Sequence, residues 1–211
     1  MRDNPVFATS QAVFRLCGTL LFDLKVQGIR NIPLTGGVLI VANHQSYLDP
    51  PLIGSQIPRA TSYLGKSELF DSPFRNWLYR RMGAFPVRQG EGDISAVREA
   101  INRLKEGKAL VLFPEGSRSE DGELQPVQPG VGLIARRAGV PVVPCVIDGS
   151  FAALPRRAKA LKTRPVRVRF GEPMKVDHLK SGEVVKAIEQ AFRVMLMDLR
   201  RDFPETGRRV S

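Results

Sequence analysis

The 211-residue sequence predicts an α/β fold: a mostly parallel central sheet flanked by helices, with an N-terminal amphipathic helix. Three observations carry this expectation. Short aliphatic runs at Val38–Ala42, 110–113 and 142–147 are apolar throughout rather than at alternate positions, as in strands covered on both faces. Segments with apolar residues at three- and four-residue steps lie between them. The two patterns alternate along the chain, the order that builds a parallel sheet.

Taken in order, the chain opens with a helical pattern. Val13, Cys17, Leu20 and Leu24 share one face, joined by Phe14, Leu16 and Leu21. Such a broad apolar face suits either docking on the domain or lying in a membrane interface. Arg15 and Asp23 interrupt it, so no charge-free stretch approaches the roughly 18–20 residues of a spanning helix. Asp3 and the lack of a long apolar run argue against a signal peptide. Residues 1–27 are therefore expected to form an amphipathic helix, docked on the domain or associated with a membrane, and 28–211 the main domain.

After the first buried run, "PLIGSQI" and "SPFRNWLYRRM" read as helices. Asp93 is placed to cap a further helix in which Ile94, Val97, Ile101 and Leu104 share a face and which Gly107 ends. "RPVRVRF" alternates charged and apolar residues, as expected of an edge or half-exposed strand. A last helix starts near Gly182, with Val184, Val185, Ile188, Phe192, Met195 and Leu199 along one stripe.

The formal net charge of +11 draws the protein to anionic surfaces. Residues 156–169, "RRAKALKTRPVRVR", hold seven cations and no acid, either a solvated basic face or the site of an anionic partner. Nucleic acid is not the expected partner, because there are no stacking aromatics of the RNP type, no zinc finger and no helix-turn-helix signal. Neither HExxH nor a Cys/His cluster is present, so no metal is expected. Cys17 and Cys145, in apolar surroundings without CxxC spacing, read as free thiols.

One of only two histidines, His44, stands just past the first predicted strand in "NHQSYLD", with Asp49 five residues on. A neutral imidazole removes a proton near pH 7 when one ring nitrogen is free and the other is held. Asp49 can hold it, and Asp49-Pro50 also suits a helix N-cap. No GxSxG elbow supplies a nucleophile, and Ser46 reads as a turn-capping residue. An attacking hydroxyl would then belong to the substrate. Past the second strand, "FPEGSRS" offers Gly116 for a tight turn, two hydroxyls and Arg118 for a phosphate. Glu115 either orients Arg118, bonds a substrate hydroxyl or braces the turn. Arg88 in "GAFPVRQG" and Lys66 in "GKSEL" follow strand-like segments and extend the cradle. If the strands are parallel neighbours, these loops open onto one crevice at their carboxyl ends.

The set "NHQSYLD", "GKSEL", "GAFPVR", "FPEGSRS" and "GVPVVP", in this order over residues 28–149, resembles the glycerophospholipid acyltransferase family, of the lysophosphatidate acyltransferase type. The resemblance implies a general base at His44 supported by Asp49. It implies acceptor-phosphate binding by Arg88 with Glu115, Gly116 and Arg118; Lys66 is a secondary candidate read from its place in "GKSEL". The implied reaction moves a fatty acyl group from acyl-CoA or acyl carrier protein, as co-substrate and with no other cofactor, to the free hydroxyl of 1-acyl-glycerol-3-phosphate. Another lysolipid or glycolipid is an alternative acceptor. Peripheral attachment to an anionic membrane surface, on its cytoplasmic side, is the expected setting. Two positions depart from the family's usual pattern: Val87 stands where many members have an acid, and Ser117 replaces a commoner threonine.

Overall fold

The structure, a computed structural model, describes residues 5–87, 94–158 and 160–206. Its elements run α1 Pro5–Phe22, β1 Lys25–Gln27, β2 Val38–Ala42, α2 Asp49–Gln56, β3 Thr61–Lys66, α3 Pro73–Arg81, β4 Ala84–Val87 and α4 Ile94–Lys105. Then come β5 Ala109–Leu112, α5 Gly130–Ala138, β6 Val142–Asp148, the short α6 Ser150–Ala153, β7 Arg167–Phe170 and α7 Ser181–Asp202. The strands form one sheet in the order β1-β7-β6-β2-β5-β3-β4. All neighbours are parallel except the β6–β7 pair. The expected α/β architecture with a mostly parallel sheet is what the chain adopts.

The continuous apolar runs have a simple cause. In a strand, successive side chains point to opposite faces, so a strand covered twice is apolar at every position. Leu39 and Val41 of β2, Leu110 and Leu112 of β5, and Val142 and Val146 of β6 pack with the apolar stripes of α4, α5 and α7. Val38, Ile40 and Ala42, Ala109 and Val111, and Val143, Cys145 and Ile147 pack on the other side with Leu52, Ile53 and Ile57 and with Phe22. Gly132 permits the close approach of α5 to the start of α7: an added Cβ would lie 2.2 Å from the carbonyl oxygen of Ser181.

"RPVRVRF" is not an edge strand. β7 lies between β6 and β1. Its alternating cations are buried or held by acids instead of facing water. Arg167 is fully buried and paired with Asp23 and Glu205, while Arg169 binds Gln27 and Asp202. Arg156 pairs with Glu120. The basic run is thus partly consumed in holding α1, β1 and the C-terminal segment together. The proposed cap, Asp93, lies outside the described residues.

Helix α1 buries only Phe7, Gly18 and Phe22 and is held to the domain in part by polar side chains, Gln11 donating to the carbonyls of Gly54 and Ile57 and Arg15 to that of Ser55. Val13, Leu16, Leu20 and Leu21 face out. Asp23 falls just past the helix end, so only Arg15 is charged within its 18 residues. By length and composition alone, α1 is long and apolar enough to cross a membrane, with Arg15 interrupting it as the sequence indicated.

Candidate functional site

The strand order creates a crevice. From β2 the chain crosses by α2 on one face of the sheet toward β3, and from β5 it crosses by α5 on the other face toward β6. Since β2 and β5 are parallel neighbours, the loops leaving their carboxyl ends diverge and leave a cleft between them. "NHQSYLD" is the first loop and "FPEGSRS" the second.

Asn43 ends β2 by imitating it. Its side-chain amide donates to the Ile147 carbonyl at 3.0 Å and its oxygen accepts the Ile147 N–H at 2.8 Å, extending the pairing to β6. The chain then turns, and the turn closes on Asp49. Its fully buried Oδ2 accepts the main-chain N–H of Gln45 at 2.6 Å and of Ser46 at 2.7 Å, and lies 2.9 Å from Nδ1 of His44. An ionised carboxylate only accepts, so Nδ1 carries the proton and Nε2 is left with its lone pair. Asp49 thus points back into the loop rather than capping α2. Its other oxygen is buried and unpartnered among the described residues. The imidazole is clamped from its face too, stacked on Phe113 with centroids 4.2 Å apart. About 17% of the His44 side chain remains open to solvent.

The two loops are joined through the backbone of residue 44. Its N–H donates to Oε2 of Glu115 at 3.2 Å, and its carbonyl accepts the N–H of Ser119 at 2.8 Å. Gly116 takes the left-handed conformation that the tight turn requires (φ 75°). Glu115 is buried, and desolvation pushes its carboxyl up to about 8, with the charge of Asp49 adding to the rise and the amides of His44 and Gln125 opposing it. That shift favours the protonated form near neutral pH. The guanidinium of Arg118 lies over the Tyr47 ring, 3.4 Å from its centroid. One of its terminal nitrogens, Nη1, is buried without a hydrogen-bond partner among the described residues. A buried, unpaired guanidinium nitrogen fits an anion supplied from outside.

His44, Asp49, Glu115, Gly116 and Arg118 therefore meet at one end of the sheet. Lys66 closes β3 at that same end, next to β5. Arg88 lies outside the described residues, one position beyond β4. Ser46 is occupied: its hydroxyl donates to the Leu154 carbonyl at 2.8 Å and accepts the Leu48 N–H at 3.3 Å. Sequence reasoning did not single out Tyr47, Phe113 or Asn43. Phe113 and Tyr47 are aromatics beside the motif residues, a weak signal, since loop spacing does not say which ring faces which. Among the described residues no group of three His, Cys, Asp or Glu could hold a metal ion.

Residues 23–148 match the family model described as Acyltransferase. The chain belongs to the acyltransferase family. Among family members, it is 30% identical over 157 residues to the chloroplastic 1-acyl-sn-glycerol-3-phosphate acyltransferase BAT2 of Brassica napus, covering 72% of this chain and 45% of that protein. It is 30% identical over 200 residues to the lyso-ornithine lipid O-acyltransferase of Pseudomonas aeruginosa, covering 86% and 75%. With the 1-acyl-sn-glycerol-3-phosphate acyltransferase of Bacillus subtilis the figures are 29% over 181 residues, 83% and 87%. The crystal structure of the 1-acyl-sn-glycerophosphate acyltransferase PlsC of Thermotoga maritima superposes with a TM-score of 0.81 at 29% identity, over 95% of this chain and 84% of that one. The chain spans under half the length of the chloroplastic relatives of Brassica napus and Arabidopsis thaliana that it matches.

Proposed function

We propose that this protein transfers a fatty acyl group from a thioester to the free hydroxyl of 1-acyl-glycerol-3-phosphate, giving phosphatidic acid. The observation that carries this is the locked imidazole: Nδ1 of His44 held by Asp49, Nε2 unassigned, and the ring in the crevice that Arg118 enters from the facing loop. Nε2 takes the proton of the lysolipid hydroxyl as its oxygen attacks the thioester carbonyl. Asp49 stabilises the imidazolium that forms, and the proton then passes to the departing thiolate. General-base help of this kind is worth about 10²–10⁴ in rate. The acceptor phosphate rests on Arg118, with Arg88 and Lys66 completing the cradle. Neutral Glu115 adds no negative charge against it, and Gly116 keeps the turn open. The donor is acyl-CoA or acyl carrier protein, with no other cofactor.

The protein works peripherally on the cytoplasmic side of an anionic membrane, where lysolipid and product reside. The outward aliphatic face of α1 and the net charge of +11 support this setting.

The likeness to the Pseudomonas aeruginosa protein favours a second reading, in which the acceptor is a lyso-ornithine lipid. One experiment separates the two. Thiol release by the purified protein is measured for each donor against lysophosphatidate, lyso-ornithine lipid and lysophosphatidylcholine. Selective turnover of lysophosphatidate is expected. Turnover of lyso-ornithine lipid alone replaces the first reading with the second, and no thiol release with any pair overturns both.

A further inference from the structure

We infer that α3 is a second membrane-inserting element, forming one interfacial patch with α1. This rests on the membrane setting proposed above and extends it to a segment far along the chain. Helix α3 carries Phe74 and Trp77 on one face, one turn apart, 67% and 48% exposed and stacked at 6.2 Å between centroids. Large aromatics this exposed are unusual for a folded surface. They do not stand alone. Pro5, Val6, Val13 and Phe14 of α1 and Trp77, Leu78 and Met82 line a shared, largely apolar cleft of about 540 Å³. Val13 fixes which side of α1 borders this cleft, and helical spacing puts Leu16 and Leu20, 60% and 72% exposed, on the same side. Aliphatic and aromatic side chains from two helices distant in sequence thus form one outward surface.

Charge identifies what covers it. The α3 helix has no acid and three exposed arginines, Arg75, Arg80 and Arg81. Arg81 lies over the Trp77 ring and Arg80 over the Phe70 ring, each just under 6 Å from the centroid. Apolar side chains with a tryptophan and a fringe of arginines match the boundary between acyl chains and anionic head groups. Helix α3 leaves the carboxyl end of β3, the sheet end that bears His44, and returns the chain to the amino end of β4, so the patch lies along the side of the sheet rather than at the crevice.

Trp77 is the sole tryptophan of the chain and reports its own environment. Its emission is followed on adding vesicles of phosphatidylcholine with phosphatidylglycerol, some brominated in the acyl chains. A blue shift and quenching by the brominated lipid are expected, weaker without phosphatidylglycerol. In flotation assays, Phe74→Ser with Trp77→Ser weakens vesicle binding about tenfold, and Leu16→Ser with Leu20→Ser weakens it similarly. Vesicle binding without change in Trp77 emission, lost only in the α1 variant, overturns the α3 assignment while leaving the membrane setting intact. Absence of any vesicle binding overturns both. Concentration-dependent self-association that shifts Trp77 emission, without vesicle binding, assigns the patch to a second copy instead. The emission measurement uses the unaltered protein, so a poorly folding variant does not blunt the test.

Discussion

Replacing Asp49 by Asn changes one atom and tests the proton-transfer reading directly. Oδ2 accepts from Gln45 N–H, Ser46 N–H and His44 Nδ1, all within 2.9 Å. These donors hold the oxygen of an asparagine at the same place, so ring and tautomer are retained and only the charge is lost. A carboxylate and an imidazolium with charge centres ~4 Å apart attract by about 4 kcal/mol at an effective dielectric near 20. The neutral hydrogen bond that remains keeps about 1 kcal/mol of this. The difference, about 3 kcal/mol, lowers the rate of proton transfer roughly 10²-fold. A second effect is structural. The new NH₂ group replaces Oδ1, which is buried with no acceptor beside it among the described residues. An unsatisfied buried donor costs about 1–3 kcal/mol, a fall in Tm of about 2–4 °C per kcal/mol in a domain of this size. The assay is thiol release under saturating acceptor, with thermal unfolding followed by circular dichroism. A kcat within about threefold of wild type, with the lowered Tm confirming the change in the site, would show that Asp49 serves only the fold.

Four further outcomes are expected. His44→Ala abolishes transfer with little change in Tm, because the main-chain bonds of residue 44 to Glu115 and Ser119 survive; near-normal turnover of the purified variant refutes the base assignment. Arg118→Ala raises KM for lysophosphatidate about tenfold or more and leaves KM for the thioester unchanged; equal effects on both count against the cradle. Tyr47→Ala, which removes the ring beneath that guanidinium, raises the lysolipid KM about fivefold, while Tyr47→Phe keeps the stack and wild-type values. Glu115 binds its proton more tightly folded than unfolded, so its contribution to stability is full below about pH 4.5 and is lost as pH rises to about 8. Glu115→Gln flattens that decline in Tm from pH 5 to 8, and an unchanged slope contradicts the assignment of a neutral acid.

Much of the fold was legible because its signal is local. β2, β5 and β6 announce themselves as unbroken apolar runs, and α4 and α7 as stripes at helical steps. β7 misled because its alternating pattern is the same whether its arginines face water or are covered and paired with acids from distant segments; Asp23 and Glu205 lie 144 and 38 residues from Arg167. Helix α1 showed its apolar face but not its direction, which depends on the carbonyls at the end of α2 accepting Gln11 and Arg15.

At the site, the sequence by itself determined the reactive groups and the positions where the chain must turn: an imidazole and a carboxylate five residues apart, a glycine before an arginine, each just past a buried strand. Local chemistry is enough for that. Only the tertiary structure decided that β2 and β5 are parallel neighbours, that Phe113 lies against His44, that Tyr47 lies beneath Arg118 and that burial raises the Glu115 carboxyl. Those are relations across some 70 residues of chain, created when the sheet assembles and water leaves the space between two loops, and no spacing along the chain encodes them.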